Sequence, residues 1–178
     1  MTSQEFTDRI AALLPVLYRV CASQFREGCD REDAVQEALR RAWEKAGALR
    51  EEAYFDTWVI RILLNVCHSM QKRKRRFLPE EAMPERAAPD RAGDRALYDA
   101  LLMLDERLRT PILLHYIEGY RVEEVARMLG TRPGTVKTRM KRGREKLKEL
   151  LSGEEIRWYT RMITGARWAS PTRRSFRA

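Results

Sequence analysis

Residues 121–151 read RVEEVARMLGTRPGTVKTRMKRGREKLKELL, and this stretch decides the fold. Val122, Val125 and Leu129 recur at helical spacing, which predicts a short helix with one apolar face. Gly130 follows where a left-handed C-cap is needed, a backbone conformation that glycine adopts without a Cβ clash. Thr131 then offers an N-cap, and Pro133 a first-turn position, for a second helix. In that helix Val136, Met140, Gly143, Leu147 and Leu150 fall on one face, and Lys137, Thr138, Lys141, Arg142 and Glu145 on the other. Helix, glycine turn and basic second helix are the layout of a helix-turn-helix, whose second helix enters the major groove of DNA. A helical hairpin with a merely solvated basic face has the same periodicity. The turn and the basic face together favour DNA.

Immediately upstream, Leu97, Leu101, Leu104 and Leu108 repeat at helical spacing. Thr110 and Pro111 predict an N-cap and a first helical position, with Gly119 closing the helix that follows. Residues 77–94, FLPEEAMPERAAPDRAGD, break the pattern with Pro79, Pro84 and Pro89 and five acidic residues. Proline removes a backbone donor and disfavours helix in the residue before it, so this stretch reads as a flexible acidic linker. It separates a unit over 3–76 from one over 95–152, and 153–178 reads as a basic, disordered tail.

The first unit repeats the helical period three times. Ile10, Leu13, Leu14, Leu17, Val20 and Cys21 form one stripe, with Pro15 marking a bend or a fresh helix start. Val35, Ala38, Leu39, Ala42 and Ala46 form the next, and Phe55, Trp58, Val59, Ile62, Val66 and Met70 the third. No alternating strand run interrupts them. The expectation is an all-α chain: two small helical domains, a bundle and a helix-turn-helix domain, joined by a linker.

Charge points the same way. The chain has 178 residues and a net charge of +9, from 35 Lys and Arg against 26 Asp and Glu. The charge is blocked: residues 1–71 carry −2, 72–76 carry +5, 77–94 carry −3, 95–153 carry +5 and 154–178 carry +4. Basic blocks are what a phosphate-binding surface requires, and also what a solvated surface tolerates. Cys21, Cys29 and Cys67 lack CxxC spacing, which argues against a disulfide framework or a zinc site. Cys67 and His68, as helix neighbours, point about 100° apart and make a poor ligand pair. His68 and His115 have no triad context, and no nucleophile with a carboxylate or basic cluster appears, so catalysis, a metal and a cofactor are not expected. No signal peptide and no apolar run near ~20 residues is present, so a soluble cytoplasmic protein is expected.

Two helix faces in the first unit are candidate binding surfaces. DAVQEALRRAW, Asp33 to Trp43, hides Val35 and its alanines and exposes Asp33, Gln36, Glu37, Arg40 and Glu44. FDTWVIRILLNVCHSMQKRKRR sets Trp58, Arg61 and Asn65 on adjoining turns and ends in Lys72, Arg73, Lys74, Arg75 and Arg76. An aromatic-polar face leading into a basic run suits a single strand, held by stacking and backbone attraction. A core tryptophan and a solvated helix end fit the spacing equally.

DxxQEALxRAW followed by FxTWVxRIxxN and a basic run resembles the second conserved region of the sigma-70 family, in its extracytoplasmic-function (ECF) group. LLMLDERLRTPILLHYIEGYRVEEVARMLGTRPGTVKTRMKRGREKL resembles region four of the same group. The ordered pair spans roughly residues 8–76 and 95–151. The resemblance implies a non-enzymatic initiation factor that binds core RNA polymerase and promoter DNA, with an anti-sigma factor as a candidate partner. It implies that Asp33, Gln36, Glu37, Arg40 and Trp43 dock on the clamp of the largest polymerase subunit. Trp58, Arg61 and Asn65 match the face holding the melted −10 element, with Lys72 to Arg76 following the strand. Leu49, Arg50 and Glu51 fall at the loop that captures a flipped base, where Leu49 replaces a frequent aromatic. Lys137 and Arg142 match readers of the −35 element, with Thr135, Thr138, Arg139 and Lys141 beside them and Lys137 replacing a frequent arginine. The alternative, a helix-turn-helix regulator with an N-terminal interaction module, leaves the DxxQE helix and the basic run without a role.

Overall fold

The computed structural model describes residues 1–25, 27–49, 51–77 and 100–151. The expected linker from residue 78 onward, Arg50, Leu97 and the tail from 153 onward lie outside the described residues. The architecture is all-α, and no β-strand occurs among the described residues.

Helix α1 spans Ser3–Ala22 and is started by a reciprocal cap. The Glu5 N–H donates to the Thr2 hydroxyl at 3.2 Å and the Thr2 N–H to the Glu5 carboxylate at 2.6 Å. Pro15 sits inside this helix, so of the two readings offered for it, a bend or a fresh helix start, the fresh start does not hold. It lies on the exposed side, where water can satisfy the freed carbonyl, while Leu13, Val16, Leu17 and Val20 are buried opposite. Helix α2 spans Gly28–Glu44 and buries Ala34, Val35, Ala38 and Ala42, small side chains that let it lie close to its neighbours. Two 3₁₀ turns, Ala46–Ala48 and Glu52–Tyr54, lead into α3, Phe55–Phe77.

The buried face of α3 is Phe55, Val59, Ile60, Leu63, Val66 and Cys67. Trp58, Ile62 and Met70, expected in the core stripe, are only half-buried beside it. Cys67 and Cys21 are both buried, and the hydrogen bond from Cys21 together with burial pushes the Cys67 thiol far up. His68 is exposed, so the adjacent Cys67 and His68 do face different ways.

In the second unit α4 spans Glu106–Ile112, runs into a π turn at Leu113–Ile117, and is followed by α5, Val122–Met128, and α6, Pro133–Leu150. The expected cap at Thr110 is wrong. Asp105 caps α4, accepting from the Arg107 N–H at 2.8 Å, so the helix is already under way at Thr110 and Pro111. The Thr110 hydroxyl donates back to the Glu106 carbonyl at 3.0 Å. Thr131 does not cap α6 either. Its N–H donates to the Ala126 carbonyl at 2.9 Å, closing the turn in which Gly130 has φ +60°, and Arg132 takes the N-cap before Pro133. Leu150, expected inside, is exposed, and Leu151 is buried instead, because the backbone turns extended at the end of α6.

The helix-turn-helix is seated through Gly143. A Cβ there would meet Ile112 Cδ1 at 2.5 Å and the Leu108 carbonyl at 3.3 Å, so α6 lies close against α4 and a larger residue would have to displace the Ile112 side chain. The buried apolar side chains of both units fall in one hydrophobic cluster. Helix α3 packs against α5, which brings the two units together.

Candidate nucleic-acid interface

Helix α6 displays Lys137, Thr138, Lys141 and Arg142 as an exposed row. The Thr138 hydroxyl donates to the Gly134 carbonyl at 3.0 Å, which fixes it against its own helix. Thr135 and Arg139 are half-buried, and Arg139 turns away from the row toward α3. Arg144, one turn on, donates to the Tyr116 hydroxyl at 2.8 Å and so braces α6 against the π turn. An exposed cationic row on a helix held rigidly by its opposite face can enter a groove, with lysine and arginine reading guanine or neutralising phosphate.

The second surface lies along α3. Arg61 and Asn65 are exposed, one turn apart. Trp58 is half-buried, its ring 6.3 Å from that of Phe55, so the indole wedges into the core edge and offers only part of itself for stacking. Lys72, Arg73 and Arg76 are exposed on the last turns, and the Arg75 side chain lies outside the described residues. Lys74 is engaged elsewhere. Its ammonium pairs with Asp30 and, at 3.3 Å, with Glu27, and the Asp30 hydrogen bond holds its pKa above the usual lysine value. Leu49 is half-buried and Glu51 exposed, at the turn that precedes α3.

The third surface is on α2. Asp33, Gln36, Glu37 and Arg40 line a shallow groove. Arg40 donates to both Glu37 carboxylate oxygens at 2.8 and 2.9 Å and also pairs with Glu44, while Arg41 donates to Glu37 at 2.7 Å. The hydrogen bonds from Arg40 and then Arg41 lower the Glu37 pKa from 4.5 to about 2, and Glu37 in turn raises that of Arg40. Trp43 is 51% exposed, with only one edge set against Phe6, their ring centroids 5.1 Å apart. A fixed fan of charge beside an exposed indole is a protein-docking surface in its chemistry.

Three contacts escaped sequence reasoning. Arg19 on α1 donates twice to Glu118, at 2.7 Å each, Gln24 donates to the Thr110 hydroxyl at 3.0 Å, and the Arg127 guanidinium lies 4.5 Å from the centre of the Tyr54 ring. Each joins the first unit to the second over a long sequence separation, for which no local pattern exists. One group of potential metal ligands also assembles, Glu27, Cys29 and Asp30. The Lys74 ammonium already pairs with both carboxylates, so these residues are a poor fit for a cation.

The chain matches the family model for Sigma-70 region 2 over residues 9–77 and that for Sigma-70, region 4 over residues 94–147. It belongs to the sigma-70 family, and relatives named as ECF sigma factors are among those it resembles. It is 31% identical over 139 residues to the ECF RNA polymerase sigma factor SigM of Mycobacterium tuberculosis, covering 76% of this chain and 71% of that one. It is 26% identical to the ECF RNA polymerase sigma factor SigW of Bacillus subtilis, covering 82% of this chain and 88% of that one. Among solved structures it resembles the sigma factor RpoE of Bartonella quintana in complex with the anti-sigma factor NepR. The TM-score is 0.70 and the identity 28%, over 83% of this chain and 96% of that one. No helix among the described residues is long and apolar enough to cross a membrane.

Proposed function

We propose that this chain recruits core RNA polymerase to promoters and helps to open them, by binding and without catalysis, in the cytoplasm. The observation that carries the reading is the coexistence of three different surfaces on one small chain. They are the exposed α6 row, the Arg61–Asn65 face of α3, and the Glu37–Arg40 fan with Trp43 on α2. A duplex-binding regulator needs only the first.

In this reading residues 3–76 and 95–152 work as two domains with 77–94 as the linker between them. Asp33, Gln36, Glu37, Arg40 and Trp43 dock on the clamp of the largest polymerase subunit. Lys137 and Arg142 read the −35 element, with Thr135, Thr138 and Lys141 at phosphates or neighbouring bases. Arg61 and Asn65 hold the unpaired −10 strand, Trp58 and the Leu49–Glu51 turn wall it in, and Lys72, Arg73 and Arg76 follow its backbone. Hydrogen bonds to an unstacked base and attraction to its phosphates suffice for this, because the strand offers both once melted. Arg139 and Lys74 reach DNA only if they leave their present neighbours. An anti-sigma factor is a further partner, since the similar RpoE chain was solved with one.

The test is transcription from a library of genomic fragments by core polymerase with and without the chain. The proposal expects new transcript starts that share two sequence elements at fixed spacing upstream. Starts that do not depend on the chain would refute it.

A further inference from the structure

Helix α1 carries none of the residues assigned to polymerase or DNA, yet it holds the turn to which base capture is assigned. The two 3₁₀ turns of that stretch, Ala46–Ala48 and Glu52–Tyr54, contain no buried residue. A Cβ on Gly47 would meet nothing within 4 Å, so the stretch stands away from the body of the first unit there. Its own hydrogen bonds run from the Leu49 N–H to the Ala46 carbonyl at 3.3 Å and from the Tyr54 N–H to the Glu51 carbonyl at 3.1 Å. Such local bonds shape each turn but attach neither to the helices. Leu49 gives one attachment, half-buried against the core.

Arg9 of α1 gives another. Its guanidinium carbon lies 5.2 Å from the centre of the Phe55 ring, and its Nη1 is 3.5 Å from the Glu52 carboxylate. Phe55 is a firm base, 1% exposed, with its ring edge-on to Phe6 of α1 at 5.6 Å. The Arg9 Nη1 is shielded from water and makes no hydrogen bond, so the nearby carboxylate is what offsets its desolvation. The Met1 amine lies 3.5 Å from the other Glu52 oxygen, on the same side. An exposed ion pair and a cation over a ring are each weak in water. Their consequence is therefore where the turn stands, not whether the bundle folds.

We propose that Arg9 is a positioning residue for base capture. It clamps Glu52 against the head of α3, fixes where Leu49 and Glu51 stand relative to the strand-binding face, and so sets base preference without touching the strand. A recognition pocket rejects a wrong base only if its wall cannot move to accommodate it. The inference rests on the assignment of the Leu49–Glu51 turn and the α3 face to the melted strand.

The test uses the full chain with core polymerase and pre-melted promoter templates that differ in one unpaired base of the −10 element. Preference is the ratio of affinities between the best and the worst base. Arg9→Gln and Glu52→Gln should each lower it by about threefold to tenfold, part of what one base contact supplies. The double variant should lose no more than either single one, since both act through one contact. Arg9→Lys should keep part of the preference, because it retains the charge but not the flat face set on Phe55. Duplex binding and co-elution with core polymerase should stay at the wild-type level. Glu52→Gln is decisive: charge alone would make it bind every template more tightly with preference intact, and that result would overturn the proposal. Its exposed side chain also lets it carry the test if Arg9→Gln fails to fold by circular dichroism. Equal weakening on all four bases in Arg9→Gln would make Arg9 a phosphate contact and overturn the positioning role. A wild type that binds the templates without any base preference would instead overturn the base-capture assignment, and the proposal with it.

Discussion

Gly143 of α6 lies so close to Ile112 of α4 that a Cβ in its place would stand 2.5 Å from the Ile112 Cδ1 atom. Overpacking of a seated helix typically costs about 1–3 kcal/mol. Gly143→Leu should therefore lower the unfolding free energy by that much, read as a fall in the urea midpoint at unchanged slope, and weaken duplex binding with it, since the cationic row of α6 is aimed by this seat. An unchanged midpoint would show that the α4–α6 contact is looser than its geometry implies.

The Glu37 carboxylate should titrate near 2, well below its ordinary 4.5, because Arg40 and Arg41 hydrogen-bond its charged form. A depressed folded pKa means that the fan's stabilisation is present above 4.5 and is lost as pH falls from there toward 2. Carboxyl-carbon NMR titration should find that midpoint, and Arg40→Ala with Arg41→Ala should move it back up. A midpoint near 4.5 in the wild type would mean the fan is not formed in solution.

Asp33→Ala with Gln36→Ala should abolish co-elution with core polymerase while leaving the fold intact. Both side chains are exposed on the face of α2 opposite Ala34, Val35 and Ala38, so stability should change by less than ~1 kcal/mol. Co-elution at the wild-type level would remove α2 from the docking surface. A large stability loss would make the two residues structural.

Arg142→Ala should weaken binding to a matched −35 element more than to a scrambled one. A bidentate base contact is worth about 1–3 kcal/mol of discrimination, and Arg142 stands exposed in the row that faces outward from α6. Equal losses on both duplexes would reduce Arg142 to a phosphate contact.

The helices were legible because burial repeats at the helical period, and the Gly130 turn because only a left-handed residue closes it. Errors fell at helix ends, where alternatives compete within a few residues. Asp105 outcompeted Thr110 as a cap because its carboxylate accepts from the Arg107 N–H, which sets the helix under way before Thr110, and Leu151 replaced Leu150 in the core because one extended residue rotates the chain. Solvent-side placement of Pro15 could not be told from a break, since the same spacing serves both. The exposed rows on α2, α3 and α6 followed from their opposite, apolar faces. What the rows meet did not. Lys74 pairing with Asp30, Arg139 turning toward α3, and the Arg19–Glu118 bridge are all set by packing between distant segments, which leaves no periodic trace.

Strand opening separates an initiation factor from a duplex-binding regulator, and permanganate reactivity of thymines around a transcript start reports it. With core polymerase and this chain, those thymines should become reactive, and neither component alone should suffice. Asn65→Ala should keep duplex binding, which the α6 row supplies, and lose most of the reactivity. Reactivity with core polymerase alone, or full reactivity in Asn65→Ala alongside normal use of pre-melted templates, would contradict the role given to the α3 face.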